Sequence, residues 1–278
     1  MNSMASAGGA DRSVDLDQVD TLPFKLTLAG QAVAGLVFGL APLLATAAYA
    51  SAIGFSGTDA IVYRLGGAAT FGYAVVALVA LTRIVCWQQM RIPAIATLTF
   101  TLGAFLASAL ELVGGATPPI VPLVVVAGLV FSAVAAYWLR RDQGPAMDAG
   151  QPLDGPGRLI LGLATLSAGT FGLLPLLAPA PFATVFGLAG GDPWVYRLAG
   201  AGCFGYATAG IASLMASGYR LVRIQNLAAI SFNALGAIGA WIAVVGGGGG
   251  WLAPVVAAAA TFFTFALIWV DRRYAPSR

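Results

Sequence analysis

Residues 38–74, FGLAPLLATAAYASAIGFSGTDAIVYRLGGAATFGYA, return at 171–207 as FGLLPLLAPAPFATVFGLAGGDPWVYRLAGAGCFGYA. The two stretches align without a gap at an offset of 133, and 22 of the 37 positions are identical. Self-similarity at one fixed offset marks a duplicated structural unit. The unit belongs in a membrane, because the chain is 59% hydrophobic and 9% charged, where a soluble domain carries about 25% charge. In water its 278 residues would expose a mostly apolar surface and aggregate.

Spanning about 30 Å of hydrocarbon takes about 20 apolar residues. Eight segments qualify: 26–49, 60–82, 92–113, 119–139, 159–181, 193–215, 224–245 and 251–270. Residues 1–24 hold Asp11, Arg12, Asp15, Asp17 and Asp20 and no apolar run. They read as a disordered polar tail rather than a secretory signal. The Pro-, Gly- and charge-rich stretch 140–158 reads as a linker between two four-span halves, 25–139 and 159–271, with 272–278 as a closing tail.

Orientation follows from the basic residues. Arg12, Lys25, Arg83, Arg91, Arg140, Arg141, Arg158, Arg220, Arg223, Arg272, Arg273 and Arg278 all fall on one side of eight crossings, and the opposite loops carry none. Both termini are therefore expected in the cytoplasm, with the chain multi-pass in a cytoplasmic (inner) membrane of bacterial type. An even number of spans per repeat makes the repeats parallel, related by a pseudo-twofold axis along the membrane normal. The expected fold is thus an all-α integral membrane protein of eight transmembrane helices in two parallel four-helix repeats. Small residues four apart, Gly35 with Gly39 and Ala68 with Gly72, recur as Ala168 with Gly172 and Ala201 with Gly205. Such spacing lets helix backbones approach closely. Pro42 and Pro175 occupy equivalent positions and should bend spans one and five.

The densest shared motif is D-x-x-V-Y-R-L-x-G, at Asp59–Gly67 and Asp192–Gly200. Asp192 precedes Pro193, so both aspartates read first as helix N-caps. Arg64 and Arg197 lie five residues further in, about 7 Å deep by helical rise. An ionisable group inside a span is costly and often functional. These arginines either snorkel to the interface beside Tyr63, Trp194 and Tyr196, pair across the halves as Arg64–Asp192 and Arg197–Asp59, or contact an anion or solute. Glu111 stands near the same end of span three, and its counterpart is Val244. It could pair with Arg64, reach headgroups or carry a proton. Asn226 and Asn233 lie seven apart on one face of span seven, which suits interhelical hydrogen bonding or a polar path.

Several chemistries are excluded. The chain has no histidine and two cysteines, Cys86 and Cys203, set about 24 Å apart in depth by the repeat alignment. Two free thiols are expected, and no zinc, haem or iron–sulfur site. The expectation is no metal, no cofactor and no enzyme, since neither a G-x-S-x-G elbow nor a close carboxylate pair appears. The basic residues form no stripe, which argues against nucleic acid. The expected partners are membrane lipids, with a small-molecule solute or another membrane protein as further partners. The favoured function is a non-catalytic scaffold, assembly or lipid-binding protein. The alternative is a small-solute carrier with a path between the repeats.

Overall fold

The computed structural model describes residues 22–83, 85–115, 118–140 and 148–275. Residues 1–21 of the expected tail, 141–147 of the linker and the last three residues lie outside them, while Leu22–Phe24, expected in the tail, open the first helix. Ten helices run through the described residues: α1 (Leu22–Leu44), α2 (Thr46–Ile53), α3 (Ala60–Thr82), α4 (Trp87–Val113), α5 (Ile120–Arg140), α6 (Gly155–Leu177), α7 (Pro179–Phe186), α8 (Pro193–Met215), α9 (Tyr219–Val245) and α10 (Leu252–Tyr274). Eight of them, all but α2 and α7, are long and apolar enough to cross a membrane. Exposed Leu26, Leu106, Leu129, Leu166 and Phe265 give them the apolar exterior that lipid requires.

Two expected spans begin and end about four residues earlier than read, each followed by a separate two-turn helix. Span one stops at Leu44, because Ala45 leaves the helical region at φ −137°, ψ 54° before α2 begins. Span five breaks identically at Ala178, φ −136°, ψ 65°. Pro179 accounts for the second break, since its ring disfavours a helical residue before it and it has no N–H for the Pro175 carbonyl. At the position equivalent to Pro179 stands Thr46, whose hydroxyl donates to the Pro42 carbonyl at 2.7 Å and satisfies that group instead. Both short helices end on a left-handed glycine, Gly54 (φ 84°) and Gly187 (φ 67°). In each case the next N–H reaches back five residues, Phe55 to Ala50 at 2.9 Å and Leu188 to Ala183 at 2.8 Å. This closing turn aims the chain into the loops that carry the aspartates.

The packing order differs from the chain order. α3 packs against α1 and α9 much more than against α4, which follows it. Likewise α8 packs against α6 and α4 much more than against α9. Thus α4 lies against α8 of the second half and α9 against α3 of the first, while α3 and α8 also meet each other. Glycines make the close approaches. A Cβ on Gly67 would lie 2.5 Å from the Gly39 carbonyl oxygen, and one on Gly200 would lie 2.6 Å from that of Gly172. At the α3–α8 crossing Tyr73 donates to the Gly202 carbonyl at 3.0 Å and Tyr206 to the Ala69 carbonyl at 3.1 Å, their rings 5.0 Å apart. Cys86 and Cys203 are buried thiols. On the side of the basic loops, Asp154 caps α6 by accepting from the Gly157 N–H at 3.1 Å and receives Arg273 and Tyr274 from α10.

Candidate functional site

The loops 54–59 and 187–192 meet at the end of the bundle opposite the basic loops. Each is followed by the repeated motif, and each contributes a left-handed glycine, Gly57 (φ 68°) and Gly190 (φ 72°). A left-handed residue turns successive backbone N–H groups toward one point and makes a concavity for an anion. Here the anion is a side chain of the opposite half. Asp59 accepts from the N–H groups of Ala189 (3.0 Å) and Gly190 (2.8 Å) and from the Tyr196 hydroxyl (2.7 Å). Asp192 accepts from the N–H groups of Ser56 and Gly57 (3.0 Å each) and from the hydroxyls of Ser56 and Tyr63 (2.7 Å each). Both aspartates and both tyrosines are buried.

The expected helix capping by these aspartates is not what their side chains do. They stand at the N-cap positions of α3 and α8, yet neither carboxylate accepts a bond from its own helix. Donors from the opposite loop satisfy more of the carboxylate's lone pairs than a first helical turn would. Burial alone would push the Asp192 carboxyl up, but the Ser56 N–H, the Tyr63 and Ser56 hydroxyls and the Gly57 N–H outweigh it and hold the group below its ordinary value of 3.8.

The arginines do not pair with the aspartates either. Arg197 Nη1 lies 3.4 Å from Glu111 Oε2, joining α8 to α4. Arg64 is its counterpart, and Val244 stands where a second glutamate would. Among the described residues no carboxylate pairs with Arg64, and its buried Nε has no acceptor. Gly239 makes room for its stem, since a Cβ there would lie 2.9 Å from Arg64 Cβ. Trp194 adds a further tie between the halves, donating to Ser108 Oγ at 2.9 Å and stacking on Phe55 at 4.8 Å.

Asn226 and Asn233 line a cavity of about 120 Å³ bounded chiefly by α6, α8, α9 and α10. Asn233 donates to its own helix at the Ala229 carbonyl, 2.8 Å. Asn226 Nδ2 donates to Tyr219 Oη (2.8 Å) and to the Leu267 carbonyl (3.1 Å), and Tyr219 donates its own hydrogen bond to Asp271 at 2.9 Å. A second cavity, of about 190 Å³, is lined by α1–α5 and the start of α8. The sequence pointed to Tyr63 and Tyr196 as interface aromatics rather than carboxylate partners, and did not single out Ser56, Gly57 or Gly190. The recurrence of Tyr four residues after each Asp was the available signal. Among the described residues no three Cys, Asp or Glu side chains gather as a metal site.

The chain matches no protein-family model, no curated protein and no solved structure.

Proposed function

We propose that this multi-pass protein is a non-catalytic, lipid-binding scaffold of a cytoplasmic membrane, built as two parallel repeats with both termini in the cytoplasm. The observation that carries this reading is the reciprocal pair of aspartate networks. Parallel repeats that carry a solute rock against each other about the site between them. Here such rocking would have to break both networks, each holding one half's carboxylate in the other half's loop. It would also have to separate α3 from α9 and α4 from α8, the tightest pairings between halves. The seam between α3 and α8 is filled by Tyr73 and Tyr206 rather than by a path. Both cavities lie to the sides of that seam, and their walls are mostly apolar, which suits lipid-like occupants.

The solute-carrier alternative draws on one observation, the unpartnered Nε of Arg64. Solute flux separates the two. Purified protein in liposomes, tested by stopped-flow light scattering with small neutral and anionic solutes, should match protein-free liposomes. Flux that rises with protein and falls in Arg64→Gln would overturn the scaffold reading and favour the carrier.

A further inference from the structure

The cavity beside α9 contains two buried acceptors with nothing to accept. Gln225 and Asn226 both line it, they are only 4% and 2% exposed, and Gln225 Oε1 and Asn226 Oδ1 have no hydrogen-bond partner. The orientation of the Asn226 amide is fixed by its surroundings. The Leu267 carbonyl can only accept, and the Tyr219 hydroxyl already donates its hydrogen bond to Asp271, so the NH₂ must face them and Oδ1 must be the free end. Three hydroxyls of the cavity wall are already engaged elsewhere. Thr165 donates to the Leu161 carbonyl at 2.7 Å, Ser213 to that of Ala209 at 2.8 Å, and Tyr206 to that of Ala69 at 3.1 Å. A buried acceptor without a donor is costly, so the missing donor belongs to an occupant.

The occupant's chemistry follows from the rest of the lining. No Asp, Glu, Lys or Arg borders the cavity, so a charged head would be buried without a counter-ion. A neutral hydroxyl supplies the proton without that cost. Away from Asn226 the walls are Phe171, Phe182, Ala259, Phe263 and Leu252. Leu252 and Leu267, both in the lining, are fifteen residues apart on α10, about 22 Å by helical rise. The lining is apolar over most of that length, and free space of only about 120 Å³ suits a single slender chain rather than two. At the equivalent positions of the first half stand Ile92 and Pro93, which offer no side-chain acceptor.

We infer that the cavity between α6, α8, α9 and α10 binds a neutral single-chain amphiphile whose hydroxyl head donates to Gln225 and Asn226 and whose chain lies along α10 toward Phe182. The inference rests on the lipid-binding reading for its ligand class, but not on whether the protein carries solutes.

The test uses 1-hexadecanol, hexadecyl methyl ether and hexadecylamine as probes on the full chain in detergent, read by thermal shift and by native mass spectrometry. Hexadecanol should stabilise the wild type and bind about tenfold more tightly than the ether, which has the same chain and no donor. Gln225→Leu should cut that preference to threefold or less. Ala164→Leu, which fills the cavity and leaves both acceptors, should weaken all three probes together. Equal binding of alcohol and ether by the wild type overturns the proposal, as does the absence of binding. A preference unchanged in both variants would put the site elsewhere, and a preference for the ammonium would overturn the neutral head. Absent binding together with absent flux would leave the scaffold reading standing and remove this site alone. Binding together with flux would do the reverse.

Discussion

Asp192→Ala should be among the most destabilising single changes on the face opposite the basic loops, at about 3–5 kcal/mol. The figure is built from the four donors that lose their acceptor. Tyr63 is 3% exposed, so its hydroxyl would be left buried and unsatisfied at about 1.5–3 kcal/mol. The Ser56 and Gly57 N–H groups sit in a loop that water reaches, which limits each to about 0.5–1 kcal/mol. The Ser56 hydroxyl is exposed and already lies 2.6 Å from Thr58 Oγ1, so it adds little. The assay is reversible unfolding in mixed SDS–detergent micelles, followed by the fluorescence of Trp194, which stacks on Phe55 just past the aspartate. Tyr63→Phe alone should cost about 1–2 kcal/mol, and Ser56→Ala under 1 kcal/mol. In the double variant Asp192→Ala/Tyr63→Phe the losses should fall short of additive by about 1–2 kcal/mol, because one bond serves both residues. Full additivity, or a loss under 1 kcal/mol for Asp192→Ala, would refute the argument that this carboxylate fastens the two halves together.

Three further outcomes follow from the same geometry. Acid should weaken the network in a defined window: the folded Asp192 carboxyl lies below 3.8, so its contribution is complete above that pH and fades as pH falls through the folded value. An SDS–detergent titration from pH 6 to pH 3 should therefore show the difference between wild type and Asp192→Asn shrinking only at the acid end. Val244→Glu should give Arg64 the partner that Arg197 has in Glu111, a gain of up to about 1 kcal/mol at so partly exposed a position, whereas Glu111→Gln should lose a similar amount; thermal melts in low and high salt would check both. Gly200→Ala should cost about 2–3 kcal/mol in the same unfolding assay, because its Cβ would meet the Gly172 carbonyl and the Leu176 N–H, each at 2.6 Å, and backbone cannot move aside as a side chain can.

The eight long helices were legible because uninterrupted apolar runs have few other uses. The break at Ala45 was not, since hydropathy continues unchanged through Pro42 and Thr46, whereas Pro179 was a readable signal for the break at Ala178. The aspartates show where local reasoning gives way. Asp192 before Pro193 is a sound helix start, and the helix does start there, but the carboxylate has better donors across the interface than in its own first turn. Repetition shows which residues correspond, not which copy they touch. Tyr63 could equally have served Asp59, and nothing in the letters says that it reaches Asp192. The Arg64–Arg197 asymmetry could be read in part, because Glu111 against Val244 is visible in the alignment, but which arginine the glutamate serves depends on α4 lying against α8. Asn226 was visible as a polar residue of span seven but not as a free acceptor: an amide in an apolar run looks alike whether its oxygen is paired or waiting.

The packing of α4 on α8 and of α9 on α3 has a consequence for how the chain is made. When the ribosome has finished α5, the face of α3 that will receive α9 is still uncovered, and α4 has no α8 to lie against. The first half must wait in the bilayer, incomplete, until more than a hundred further residues have been inserted, and the contacts that complete it are among the most distant in sequence. Because both surfaces belong to one chain, their meeting does not depend on concentration.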